Sequence, residues 1–286
     1  MEKRSYNKAK HRSQKLAFGI FRLLSLCIVL ILFAILGFII YKGIGVINWE
    51  FLTTAPTNGM TAGGILPAIV GTFCLMAGSA LFAFPVGVMS GIYMKEYVPK
   101  GWVVRFIRMM TNNLSGIPSI VFGLFGYLMF NISFGWGFSM MAGVITLAMM
   151  ILPLIIRTTE EALLAVPDSY REGSFGLGAG KMRTVFRVIL PTAVPGIMSG
   201  VILSIGRIVG ESAALIFTSG SGHSIPGSLV GSGSSAATLT VHMYILSNEG
   251  LHVNEAFASA VVLLALTFLI NLVSDLIERR IAKKKG

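Results

Sequence analysis

The sequence predicts an all-α polytopic membrane protein with six transmembrane helices, and three observations indicate this fold. Only 12% of the 286 residues are charged, whereas a soluble globular domain carries about 25%. The mean hydropathy is +0.79, and the apolar residues form long blocks. The block at 109–156 contains no Asp, Glu, Lys or Arg. Because about 20 apolar residues in a helix cross a hydrocarbon core of about 30 Å, that block alone can hold two spans.

The first span is predicted at residues 16–41, after a basic cytoplasmic N-terminus at 1–15. A secretory signal peptide is the alternative, and it needs an apolar core of about 7–15 residues and a small-residue cleavage site. This block is longer, and the segment YKGIGVINWE that follows it contains no such site. We therefore expect an uncleaved transmembrane helix.

Five further apolar blocks form a transmembrane core at 64–277, and a basic cytoplasmic tail at 278–286 follows this core. Pro and Gly occur inside the blocks, and membrane helices tolerate them because neighbouring helices satisfy the freed backbone groups. The expected spans cover residues 64–94, 109–130, 138–156, 192–218 and 256–273.

The basic residues indicate the orientation of these six spans. All but two of the 23 Lys and Arg residues fall on one side of a six-span arrangement, the exceptions being Lys42 and Arg207. The positive-inside rule places that side, and with it both termini, in the cytoplasm. Topology therefore explains the net charge of +11. We expect the lipid bilayer, and no nucleic acid, as a partner.

The sequence contains no pattern that predicts a cofactor or a metal site. Cys27 and Cys74 lie inside apolar blocks and are interpreted as small buried hydrophobic residues. The four His residues have no recurring ligand spacing. An intramembrane hydrolase is disfavoured because its candidate residues, Ser221 and His223, belong to an outer loop. We therefore expect a chain that is not an enzyme.

The segment GLGAGKM resembles a phosphate-binding P-loop but departs from it twice. The pattern GxxxxGK followed by Ser or Thr requires a Gly where Phe175 stands and a hydroxyl residue where Met182 stands. No strand is predicted before the segment. ATP is therefore expected to be bound and hydrolysed by a separate subunit.

The outer loop at 219–255 begins with the Gly- and Ser-rich run SGSGHSIPGSLVGSGSS, residues 219–235. Such a composition is typical of a flexible linker. An outer gate, or a dock for a partner that delivers substrate, is the functional alternative. The sequence leaves both open.

The cytoplasmic loop at 157–191 is too long for a passive connection and too apolar for a disordered one. It is predicted to form short amphipathic helices that are broken at Pro167 and around Gly176–Gly180. Two short helices at an angle form a compact knob suited to a groove on another protein. A loop that lies on the lipid headgroups is the alternative.

Arg207 and Glu211 place charge inside the fifth predicted span. Ionisable residues at this depth are costly and usually face the bundle interior or a cavity. Their spacing of four residues predicts that both lie on one helix face. They could form a self-neutralised structural pair. Alternatively, Arg207 lines an anion path and is held by Glu211 when the path is empty, since the planar guanidinium binds phosphate in a bidentate manner.

The cytoplasmic loop resembles the signature of ABC importer permeases, which reads EAA, three residues, Gly, nine residues and I-x-L-P. Here Glu172, Gly173 and Ser174 stand at the EAA position, Gly178 at the Gly, and VILP closes the motif at 188–191. Gly and Ser replace the two Ala residues. The resemblance implies a type I ABC importer permease with a MetI-like fold. It also implies that the loop couples to an ATP-binding subunit, present in two copies.

Three further segments resemble the A-type permease of the phosphate-specific ABC importer, over about residues 65–275: IRTTEEALLAVPDSYREGSFGLG, GRIVGESA and NNLSGIPSIVFGLFG. This resemblance implies half of a translocation pathway for inorganic phosphate in a bacterial inner (plasma) membrane. It implies Arg157, Arg207 and Glu211 as pathway residues, although Arg157 could be an ordinary positive-inside residue. The implied partners are a second homologous permease and an external phosphate-binding protein.

Other transport functions remain as alternatives. The chain could be the sister permease of the same importer, or a permease for another oxyanion such as sulfate or molybdate. An ion-driven secondary transporter would leave the spacing of the loop motif unexplained.

Overall fold

The computed structural model describes residues 2–57, 62–98, 101–231, 233–249 and 253–283, and it confirms the all-α class. The side chains of residues 2–13, 16, 277–279 and 281–283 are not described. Parts of the predicted N-terminus and tail therefore lie outside the described residues. The helices are α1 Glu2–Gly43, α2 Trp49–Thr53, α3 Leu66–Ile92, α4 Trp102–Ser115, α5 Ser119–Gly126, α6 Met140–Leu164, α7 Asp168–Gly176, α8 Lys181–Thr184, α9 Leu190–Val209, α10 Ala213–Thr218, α11 Leu239–Glu249 and α12 Val253–Lys283.

Short π-helical turns extend several of these helices, and one small ribbon completes the regular structure of the described residues. The turns cover Tyr93–Tyr97 after α3, Tyr127–Ser133 after α5 and Val185–Ile189 between α8 and α9. The strands β1 Pro56–Thr57 and β2 Ala62–Gly63 pair in antiparallel fashion on the outer side of the second span.

Five helical segments are long and apolar enough to cross a membrane, and a bent pair of helices adds a sixth crossing if it is counted as one span. The fourth predicted span was too short, because α6 continues to Leu164 and includes Arg157. The five straight segments are Ala17–Gly43, Leu66–Tyr97, Met140–Leu164, Lys181–Val209 and Val253–Leu276.

The third span was predicted as one continuous helix at 109–130, and this prediction is wrong because the segment consists of two helices. The segments Trp102–Ser115 and Ser119–Ser133 meet at an angle of 99°. Pro118 lies at the start of α5 and has no N–H to donate. Its ring also disfavours the helical conformation of the preceding Ile117, so the helix ends before it.

The fifth predicted span, 192–218, is also interrupted. α9 ends at Val209 and α10 begins at Ala213. The carboxylate of Glu211 accepts a hydrogen bond of 3.2 Å from the backbone N–H of Ala214, so this side chain satisfies a donor at the start of α10. At its other end, the fifth membrane-spanning segment extends beyond the predicted start at residue 192, as far as Lys181.

α6 is the central helix, and it packs closely against α3 and α9. Leu147, Ile151 and Ile155 of α6 are at most 1% exposed. Glycines on the neighbouring helices permit the close approach, as they do in many membrane proteins. A Cβ atom on Gly200 of α9 would lie 2.2 Å from the Thr158 hydroxyl oxygen, and one on Gly91 of α3 would lie 2.7 Å from the Thr159 Cβ.

Both cysteines are exposed on the chain, so the prediction of buried small residues is wrong for Cys27 and Cys74. The reason is that apolar positions of a membrane helix face lipid as well as the protein core. The most apolar window of α1 shows this well, because none of it is buried within the chain.

Candidate functional site

The cytoplasmic loop forms the expected pair of short helices, although it is shorter than predicted. Pro167 precedes α7, and the break at 176–180 separates α7 from α8. Residues 157–164 belong to α6, so the loop does not begin at Arg157. The structure therefore presents a compact knob, residues 165–184, at the end of α6.

The motif residues occupy α7 and the turn that follows it. Glu172 and Gly173 are exposed on α7, and the Ser174 hydroxyl lies 2.9 Å from that of Thr184 on α8. Gly178 has a φ of +80°, which a residue with a side chain rarely adopts. No atom lies within 4 Å of a Cβ built at this position, so the backbone angle and not the available space requires Gly.

Arg171 is the residue that fixes α7 to the transmembrane helices, and sequence reasoning did not single it out. Its guanidinium donates to Glu96 at 2.6 Å, to Asp168 at 3.0 Å and to the carbonyls of Leu163 and Val166 at 3.1 Å. The Arg171 and Glu96 side chains are only 14% and 8% exposed. The hydrogen bond to Glu96 raises the pKa of Arg171.

The outer surface of the knob is apolar for a cytoplasmic loop. Leu177 is 90% exposed and Met182 is 65% exposed, and Phe175 and Tyr170 are nearly half exposed. Exposed apolar groups rimmed by polar residues are typical of a protein-binding surface. This surface can therefore enter an apolar groove on a partner.

Arg157 lies in a small charged cavity between α4 and α6. It forms an ion pair of 2.8 Å with Glu161 on its own helix. Beside it, Arg108 of α4 forms an ion pair of 3.2 Å with Glu160. These four side chains line a cavity of about 280 Å³. Arg157 therefore belongs to a cluster of two ion pairs between α4 and α6.

Arg207 lines a different and larger cavity, of about 730 Å³, between α9 and α12. Leu154 of α6 lines the same cavity. At about 1.5 Å per residue, Leu154 lies about 21 Å along α6 from Met140, near the middle of that helix. The cavity also contains Asn271 and Asp275 of α12. An arginine at this depth in an open cavity can bind an anion.

The predicted pairing of Arg207 with Glu211 on one helix face is wrong. Glu211 follows the end of α9, where its carboxylate caps α10 and its carbonyl accepts a 2.7 Å hydrogen bond from Thr240. Among the described residues, no hydrogen bond or ion pair joins Arg207 to Glu211. Residues 210–212 are not helical and separate α9 from α10. The spacing of four residues therefore does not place Arg207 and Glu211 on one helix face.

Sequence reasoning missed Asp275, the carboxylate that does share the cavity of Arg207. It lies two residues beyond the end of the sixth predicted span, 256–273. The sequence did contain a signal for this residue. Asp275 follows Asn271 by four residues at the end of an apolar helix, and this spacing places both side chains on one helix face. The three predicted pathway residues are therefore not gathered in one site, and Arg207 has a different neighbour.

The Gly- and Ser-rich outer loop folds back onto the start of α6. The backbone N–H of Met140 donates to the Ser234 carbonyl at 2.9 Å, and the Ser219 hydroxyl donates to the Ala236 carbonyl at 2.8 Å. Ser219 and Ser234 are fully buried. These hydrogen bonds hold the two ends of the run at 219–235, so those ends do not behave as a flexible linker. Residue 232 lies outside the described residues.

Acidification is expected to destabilise this outer region through His242 of α11. Burial, with a contribution from His223, lowers its pKa from 6.5 to about 4. Between these values the unfolded chain binds more protons than the folded one, so stability falls as the pH drops from 6.5 to 4, by about 3 kcal/mol at most. Thermal unfolding of the purified protein at pH 7 and pH 5 measures this loss. In His242→Gln the difference is expected to shrink.

Comparisons with known proteins agree with this architecture. The family model "Binding-protein-dependent transport system inner membrane component" matches residues 83–285. The probable ABC transporter permease protein YqgI of Bacillus subtilis is 39% identical over 208 residues, which are 73% of this chain and 71% of the relative. The phosphate transport system permease protein PstA 2 of Mycobacterium bovis is 36% identical over 248 residues, 85% and 81% of the two chains.

Solved structures show the same fold. A permease chain from the inward-facing MetNI methionine ABC transporter superposes with a TM-score of 0.62 at 23% identity, covering 74% of this chain and 93% of the other. A chain from the bacterial alginate ABC transporter, solved with an alginate pentasaccharide-bound periplasmic protein, gives a TM-score of 0.71 at 15% identity, covering 94% and 95%.

Proposed function

The chain belongs to the binding-protein-dependent transport system inner membrane components and is an ABC importer permease subunit, not an enzyme; we propose that it forms half of a translocation pathway for inorganic phosphate. The observation that supports phosphate most directly is the exposed Arg207 in an open cavity between membrane-spanning helices. Its guanidinium offers paired donors that match a phosphate oxygen pair. Several relatives, at 33–41% identity, are named phosphate transport permeases.

We propose partners that follow from this role. Two copies of an ATP-binding subunit supply the energy, and the knob at 165–184 docks on one of them through its exposed apolar side chains. Glu172, Gly173, Ser174 and Gly178 shape that knob. A second homologous permease completes the pathway, and an external phosphate-binding protein delivers the substrate. The basic residues support cytoplasmic termini in a bacterial inner membrane.

We assign the pathway residues different roles. Arg207 binds the anion, and the negative charge of Asp275, which lines the same cavity, opposes entry of the anion. Arg157 lies in a separate cavity, where a passing anion can displace its exposed ion pair with Glu161. Glu211 acts indirectly, since it holds the break between α9 and α10.

The function is tested by uptake of radiolabelled phosphate into proteoliposomes that contain the whole importer and its external binding protein. Uptake is expected to require ATP on the side of the ATP-binding subunits, to be blocked by vanadate and to resist a protonophore. Excess sulfate or molybdate is expected not to compete. Competition by either anion would overturn the phosphate assignment, and sensitivity to the protonophore would indicate an ion-driven transporter.

Replacing Asp275 by Asn is expected to lower the KM for phosphate entry while Vmax stays near the wild-type value. An interaction between exposed charges contributes up to about 1 kcal/mol, so removing the negative charge of Asp275 lowers KM by up to about fivefold. Uptake at a series of concentrations of phosphate-loaded binding protein measures both constants. Asp275→Glu keeps the charge and is the control. An unchanged KM in Asp275→Asn would argue against competition between Asp275 and the substrate.

A further inference from the structure

The helix α4 crosses the inner end of the bundle at a steep angle. Gly126 of α5 approaches Thr146 of α6, so the end of α5 packs on a membrane-spanning helix. α4 makes an angle of 99° with the segment that contains α5, so it turns sharply away from that segment. Val104 of α4 packs with Met94 and Ile156. This packing fixes α4 at the cytoplasmic ends of α3 and α6.

The rest of α4 has the character of a helix at a membrane interface. Only Val104 and Thr111 of this helix are buried. Trp102 is 78% exposed, and Phe106 is 48% exposed. Helices of this kind place aromatic and aliphatic side chains at the boundary of headgroups and acyl chains and carry Lys or Arg on the polar side.

Under this helix lies a basic cavity of about 400 Å³. Its charged lining, in the described part of the chain, consists of three cations and no carboxylate: Lys95, Arg105 and Arg108. Arg108 is paired with Glu160 at 3.2 Å. Neither Lys95 nor Arg105 belongs to an ion pair of the described residues, although Lys95 is half-buried. The cavity therefore carries positive charge without an internal counter-ion.

The other walls of this cavity are apolar, with Met94, Val98, Val104 and Leu164 among them. A purely ionic ligand gains nothing from such walls. A ligand with an anionic head and a hydrocarbon body satisfies the cations and the apolar side chains together, and burying its CH₂ groups is favourable.

We propose that this cavity binds the phosphate group of an anionic phospholipid from the cytoplasmic leaflet. The two cations without ion pairs contact the phosphate, and the acyl chains extend along Met94 and Leu164 and past the exposed face of α4. Free orthophosphate shares the charged chemistry but does not account for the apolar walls. Because Arg108 lines both this cavity and that of Arg157, the bound lipid lies next to the proposed substrate pathway.

The test measures binding of phosphatidylglycerol to the purified importer complex by native mass spectrometry. Each basic residue near an anionic lipid surface contributes about 1 kcal/mol, so Lys95→Gln/Arg105→Gln is expected to weaken binding about 30-fold. The variant Lys95→Arg/Arg105→Lys keeps both charges and is expected to bind as the wild type does. The matched control Arg183→Gln/Arg187→Gln removes two exposed charges of the same cytoplasmic face outside the cavity, and it is expected to leave binding unchanged.

Two further arms identify the ligand. Phosphatidylcholine is expected to bind much more weakly than phosphatidylglycerol, and a large excess of orthophosphate is expected not to displace the lipid. Equal affinity of the Lys95→Gln/Arg105→Gln complex and the wild type would overturn the proposal, as would displacement by orthophosphate. If the double variant does not assemble, Arg105→Gln alone is expected to weaken binding about fivefold, and an unchanged affinity there overturns the proposal as well.

Discussion

Replacing Arg207 by Ala is expected to abolish ATP-driven phosphate uptake while the importer complex still assembles. The side chain is exposed in the open cavity, and its guanidinium makes no hydrogen bond or ion pair with another described residue. Its loss therefore removes little packing. A hydrogen bond to a charged group contributes about 1.5–3 kcal/mol, so losing the contact of the guanidinium with the anion is expected to lower uptake by at least about tenfold. Proteoliposome uptake measures the loss, and co-purification of the subunits checks assembly.

Two variants separate anion binding from general effects of charge in the membrane. Arg207→Lys keeps the charge but loses the planar fork, and an intermediate loss of uptake is expected. Arg22→Ala removes another arginine of a membrane-spanning segment, one that lies outside the cavity, and is expected to transport normally. Wild-type uptake by Arg207→Ala would refute the assigned role. If Arg207→Ala does not assemble, Arg207 would instead contribute to the contact between this chain and the second permease.

Replacing Arg171 by Ala is expected to weaken binding of the ATP-binding subunit and to abolish phosphate uptake. This change leaves Glu96, which is 8% exposed, without its cation, and it frees two carbonyls near the start of α7. Breaking a buried ion pair by removing one partner costs about 3–5 kcal/mol, enough to release the short helix α7. The expected result is a complex with less bound ATP-binding subunit and no phosphate uptake, measured by subunit stoichiometry after purification.

The matched control for Arg171 is Arg183→Ala, which removes an exposed arginine from the same knob and is expected to keep the ATP-binding subunit. A second variant tests the mechanism directly. In Arg171→Met/Glu96→Leu both charges are replaced by apolar groups, and partial recovery of subunit binding is expected because no unpaired buried charge remains. If Arg171→Ala retains stoichiometric ATP-binding subunit and full uptake, the clamp at Arg171 is not required for coupling.

Composition and hydropathy were sufficient for the fold class. The all-α membrane fold follows from long apolar blocks, and the knob follows from Pro167 and the glycines at 176–180, because these residues act on their own backbone. The motif around Glu172 and Gly178 is likewise a local pattern, and the family resemblance can be recognised from the sequence alone.

The wrong pairing of Arg207 with Glu211 and the missed residues Asp275 and Arg171 have a common physical cause. The pairing of Arg207 with Glu211 assumed an unbroken helix, and the short break at 210–212 rotates every later residue away from the expected face. Asp275 is distant in sequence from Arg207, and Arg171 from Glu96, so no periodicity within one helix could pair them. Spacing along a chain gives neighbours on the same element, whereas partners on different helices depend on packing.

The glycine contacts along α6 have a mechanical consequence. Val144, Ile155 and Thr159 of α6 each occupy the space over a glycine of α3, at Gly78, Gly87 and Gly91. Interlocked in this way at three levels, the two helices cannot slide past each other without withdrawing side chains. Glu96, in the π-helical turn after α3, holds Arg171. We therefore expect a force on the knob to move α3 and α6 together as one rigid unit.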